Sequence, residues 1–77
     1  SDQQKIIDAL DYLPEQPLQA LALCLENQSD IGTALAEKIA QQATKRLQLG
    51  QEVTATLLLR SISSANAQGI TKQLLSD

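Results

Sequence analysis

The stretch Leu18-Gln19-Ala20-Leu21-Ala22-Leu23-Cys24-Leu25 decides how this chain reads. Leu and Ala are strong helix formers, and no β-branched or aromatic residue interrupts the run. Its apolar residues leave almost no polar side, and a helix of that kind is expected to be buried on more than one face. Working outward, Pro14 and Pro17 precede it, and both fit the first turn of a helix, whose amide hydrogens have no intrahelical acceptor. The polar turn Asn27-Gln28-Ser29-Asp30 follows it. A helix is therefore expected over about 14–27.

Upstream, Ile6, Ile7, Leu10 and Leu13 recur at helical spacing, and Ser1 with Gln4 fits a capping box. This predicts a helix over about 2–13, stopped by Pro14. Downstream, Ser29 or Asp30 is the expected N-cap of a helix over about 30–48. Ile31, Leu35, Ile39, Ala43 and Leu47 form its apolar i,i+4 row, with Glu37, Lys38, Gln41, Gln42 and Lys45 off it. Lys45 and Arg46 suit its C-terminal dipole, and Gly50 is a natural C′ residue. Val53, Leu57, Leu58, Leu59 and Ile62 predict a helix over about 51–64. The polar stretch Ser63-Ser64-Ala65-Asn66 reads as a break before a fifth helix over about 66–76, carrying Ile70, Leu74 and Leu75.

The whole chain supports the same class. Of its 77 residues, 14 are Leu, 10 Ala and 6 Ile, while Val and Tyr occur once and Phe and Trp not at all. Strand formers are nearly missing, so the fold is read as all-α, a single domain over 1–77. A chain this short buries only about 60–65% of its unfolded surface, so neighbours are expected to supply part of its stability. The start at Ser1 and the lack of any Met read as a piece of a longer protein. No apolar run suits a membrane span, and no secretory signal is present, so a cytoplasmic setting is expected.

A shift of 35 residues sets Leu18 on Val53, Ala20 on Ala55, Ala22-Leu23-Cys24 on Leu57-Leu58-Leu59, Leu35 on Ile70 and Ile39 on Leu74. Two helix–turn–helix units follow, the first helix closing a preceding one. The Trp, Leu-Gly pair and Tyr that tetratricopeptide repeats carry in their first helix are not found there, and the Thr-Pro-Leu-His of ankyrin repeats is absent. The Leu/Ala/Ile periodicity resembles the HEAT and armadillo type, which implies helical hairpins stacked into a right-handed superhelix, or a compact bundle. The stretches from Leu13-Pro14 to Asn27 and from Thr56 to Ser63 also resemble the C-terminal helical part of an uncharacterised bacterial protein family of unknown function. That resemblance implies a bacterial protein with no assigned activity.

Little in the chain can do chemistry. With no His and one Cys there is no Ser–His–acid triad, thiol–imidazole pair or zinc finger. The net charge of -3 opposes non-specific binding to nucleic acid or anionic lipid. Cys24, between Leu23 and Leu25, reads as a small, unreactive core residue. Tyr12 is expected to pack its ring over the corner of the first two helices with its hydroxyl in water. Asp8 and Asp11 read as a solvated pair.

Two other classes match only in part. Size, acidity and helicity resemble an acyl carrier protein, but Ser29-Asp30-Ile31 reverses the Asp-Ser-Leu attachment motif and Ser61-Ile62 follows Arg60. A helix-turn-helix DNA reader over Leu35–Ile62 would offer only Gln51 and Arg60 from its second helix, beside Lys45 and Arg46. The expectation is therefore a non-enzymatic interaction or structural module with no catalytic residue, cofactor or metal. Its partner would be protein: the rest of a parent chain, a second copy or another protein. The expected contact residues are Ile6, Ile7, Tyr12, Leu74 and Leu75.

Overall fold

Proline and turn geometry set the first boundaries. The computed structural model describes residues 2–28 and 31–76, with side chains as far as Ser64. The proposed caps Ser1, Ser29 and Asp30 lie outside the described residues. Helix α1 spans Asp2–Leu10 and stops three residues earlier than expected. Asp11 and Tyr12 donate to the carbonyls of Asp8 and Ala9, and these tighter i→i−3 bonds close the helix before the proline. Helix α2 spans Glu15–Leu25 with Pro14 as N-cap, and the Pro14 carbonyl accepts the first intrahelical bond from Leu18.

Helix α3 spans Thr33–Gln48 with Gly32 at its N-cap position. Its C-terminus follows the sequence. Gly50 sits at φ +78°, the Gly50 N–H donates to the Leu47 carbonyl, and the Gln51 N–H donates to Arg46. These two bonds make a Schellman turn, which needs a left-handed residue at that point.

Helix α4 spans Glu52–Ser76 without interruption, so the described residues form four helices where five were expected. Ser63-Ser64-Ala65-Asn66 fails as a break because Ser and Asn cost only tenths of a kcal/mol in a helix. A Ser hydroxyl can also return to its own helix, as Ser61 does by donating to the Leu58 carbonyl at 2.6 Å. Neither proline nor positive φ occurs there to force a stop.

The helices form two hairpins, α1–α2 and α3–α4, laid side by side. α1 runs parallel to α3: Asp11 reaches Lys38 and Gln42, and the Leu13 carbonyl reaches Arg46. α2 runs parallel to α4: Glu15 and Gln19 reach Thr54, and Glu26 reaches Arg60. This makes two layers, α1 with α3 and α2 with α4. Between them lies one apolar core of Leu10, Leu18, Ala22, Leu25, Leu35, Ile39, Ala43 and Leu58.

The burial pattern corrects the 35-residue alignment. At that shift buried Leu18 falls on exposed Val53, and exposed Leu23 falls on buried Leu58. One residue further, Leu18 meets Thr54, Ala22 meets Leu58 and Leu25 meets Ser61, all buried. The second hairpin is α3 with α4, so the expected pairing of the second helix with the third is replaced. In α3, Leu35, Ile39 and Ala43 are buried, but Leu47 is exposed. An i,i+4 row drifts about 40° per step around a 3.6-residue helix, and by Leu47 it has left the core.

Candidate interaction surface

Each layer has an outer face, and the two differ in chemistry. On the outside of α1 and α3 the exposed residues include Asp2, Lys5, Asp8, Glu37, Gln41, Thr44 and Lys45. On α2 the exposed stripe is Gln16, Pro17, Ala20, Leu23 and Cys24. On α4 it is Glu52, Val53, Thr56, Leu59, Arg60 and Ser63. Both stripes follow i,i+3/i+4 spacing opposite the buried residues, and the parallel register brings them side by side. Leu23, Val53 and Leu59 are 46%, 67% and 50% exposed. Among the described residues of the two stripes only Glu52 and Arg60 are charged, and Val53, Thr56 and Leu59 lie between them.

Three expectations are overturned. α2 is buried on one side only, because the rest of the bundle covers Leu18, Ala22 and Leu25 and leaves Leu23 in water. Cys24 is exposed and free, not a core residue, because it lies on the same outward stripe as Ala20 and Leu23. Tyr12 is 73% exposed, so its ring does not seal the corner between α1 and α2.

A polar network fixes the layers beneath this surface. Thr54 is fully buried; its Oγ1 accepts from Gln19 Nε2 at 2.9 Å and donates to Glu15 Oε2 at 3.0 Å. Arg46 donates to the Leu13 carbonyl and to Gln51 Oε1, both at 2.9 Å, tying the α1–α2 turn to the α3–α4 turn. Asp11 Oδ1 meets Lys38 Nζ at 2.6 Å and accepts from Gln42 Nε2 at 3.5 Å. Gln42, expected off the buried row, is buried because the 38-42-46 stripe of α3 faces α1. At the far end of α2, Arg60 Nε pairs with Glu26 Oε1 at 2.8 Å. Composition gives no cue to this network, since Gln and Thr look like ordinary surface residues until their neighbours are known.

The other expected contact residues are dispersed. Ile6 and Ile7 are half-buried and pack against the core from α1. Leu74 and Leu75 lie on α4 beyond the residues whose side chains are described. Ser61, weighed as a carrier attachment point, is fully buried. Among the polar residues weighed for DNA reading, Gln51 and Arg46 bond each other and Arg60 holds Glu26. Among the described residues no helix is long and apolar enough to cross a membrane.

No curated protein and no solved structure matches the chain. A family model matches it over residues 1–77, under the description of a protein of unknown function, DUF3549. The chain thus belongs to that uncharacterised family, which is consistent with the expected resemblance to a family of unknown function.

Proposed function

We propose that this chain is a non-enzymatic, cytoplasmic helical module that docks to protein through the outer face of α2 and α4. The observation that carries the reading is the exposed stripe of Ala20, Leu23, Val53, Thr56 and Leu59, without charge between its ends. Apolar area in water is unfavourable by about 25 cal/mol per Å², and contiguous patches of this kind mark interaction sites. The two hairpins laid in parallel register favour a HEAT-like stack, in which a neighbouring unit or another protein covers what one unit leaves open. Tyr12, exposed at the corner, and Leu74 and Leu75 on α4 are proposed as further contacts.

An environment-sensitive apolar dye tests the face directly in dilute, native protein. Dye should bind the native chain, and Val53→Ser with Leu59→Ser should remove most of that binding while the helical circular dichroism is unchanged. A native chain that binds no dye, or a double variant that binds it equally well, contradicts the reading.

A further inference from the structure

We propose that a second copy of this chain covers the α2–α4 face, in an antiparallel two-fold arrangement. This rests on the docking reading above and names its partner. Glu52 and Arg60 stand eight residues apart on the α4 stripe, about 12 Å along the axis, with Val53, Thr56 and Leu59 between them. A two-fold axis crossing α4 at Thr56 turns the helix end for end against itself. Glu52 then faces Arg60 of the other copy, Arg60 faces its Glu52, and Val53 meets Leu59 on both sides. Such a self-matching pattern is what an isologous interface requires.

The same axis crosses α2 near Ala20, because Gln19 and Glu15 hold α2 level with Thr54. Small residues, Ala20 and Thr56, therefore sit on the axis, where opposing helices come closest. Leu23 lies beside them and fills the space toward Pro17 of the other copy. A parallel two-fold arrangement would instead set α2 against α4, placing Glu52 opposite uncharged Gln16; the charge pattern selects the antiparallel one. Arg60 is oriented for this by its Nε contact to Glu26, while its side chain remains 54% exposed. A face two helices wide and this long buries on the order of 1,000 Å² in total, at the low end for a specific interface. The dimer should dissociate in roughly the micromolar range.

Sedimentation equilibrium of the native chain over roughly micromolar to submillimolar concentrations tests this. The apparent mass should rise from 8.3 kDa toward twice that value. Glu52→Arg sets two cation pairs across the interface, and Arg60→Glu sets two anion pairs. Each alone should weaken the dimer about tenfold or more. An equal mixture of the two variants should restore it, because every cross-contact then joins opposite charges. Circular dichroism checks that each variant folds; if Arg60→Glu does not, Thr56→Arg, which opposes itself at the axis, should abolish association. A chain monomeric throughout overturns the second copy, and if it still binds dye through Val53 and Leu59, the docking face stands with another occupant. A dimer indifferent to Glu52→Arg and Thr56→Arg overturns the proposed geometry, and a mixture no tighter than its parts overturns the charge pairing.

Discussion

The outside of α1–α3 and the outside of α2–α4 are built on the same core, yet only the first resembles an ordinary protein surface. Lys5, Asp8, Glu37, Gln41 and Lys45 give it mixed charge over its whole length. Across the core, the corresponding described positions of α2 and α4 include Ala, Leu, Cys, Val and Thr, with charge only at Glu52 and Arg60. Both pairs of helices expose stripes of similar width, so helix formation alone does not account for the difference. Solvent needs the first face to be polar; the second is dispensable for solubility and free to be matched to another surface.

The comparison holds only while the shared core holds both layers. Leu58 is fully buried where α4 meets the remaining helices. Leu58→Ala should cost about 2–5 kcal/mol, enough to remove much of the stability of so small a domain, read as a large fall in the urea midpoint. A loss under about 1 kcal/mol would mean that α4 is not seated in the core.

The next effect concerns register. Thr54→Val keeps the shape but removes the hydroxyl that bonds Glu15 and Gln19. Equilibrium unfolding should show a loss of about 1–3 kcal/mol. Because that hydroxyl holds α2 level with α4, self-association should weaken as well. Unchanged association in a destabilised variant would detach the face from the α2–α4 register.

The smallest effect on stability separates the faces most cleanly. Leu59→Ser and, on the opposite side, Gln41→Ser should each change unfolding free energy by no more than about 0.5 kcal/mol. Only Leu59→Ser should lower dye binding and dimerisation. Equal losses from both would erase the distinction between the two surfaces.

Much of the architecture is legible before any coordinates. Pro14 opens α2, Gly50 closes α3, and Leu and Ala make every element helical. What stays hidden depends on neighbours. A run such as Leu18–Leu25 offers apolar residues in all directions, and periodicity cannot say which of Leu18, Leu23 and Leu25 faces water. That depends on how many helices surround it, and here only the side bearing Leu18, Ala22 and Leu25 is covered. Leu23 and Cys24 become surface for this reason. Ser63-Ser64 reads as a break because these residues favour turns elsewhere, but a helix already propagating through Leu57, Leu58 and Leu59 passes over them at small cost. Thr54 enters the interior because Gln19 and Glu15 satisfy its hydroxyl, whereas Gln42 enters with its Nε2 bonded to Asp11 and its Oε1 without a partner. Tyr12 is visible in the sequence as the sole aromatic, whereas the α2–α4 face emerges only when two separate stripes are set side by side.

The central claim is that the α2–α4 surface is the one that meets another molecule. Amide chemical shifts followed through a dilution series measure this residue by residue. The account predicts concentration-dependent shifts confined to Gln16–Asn27 and Glu52–Ser63, centred on Ala20 and Thr56, with Lys5, Asp8, Glu37 and Gln41 unmoved. Shifts concentrated at Lys5, Asp8, Glu37 and Gln41, or none at any concentration, would contradict it.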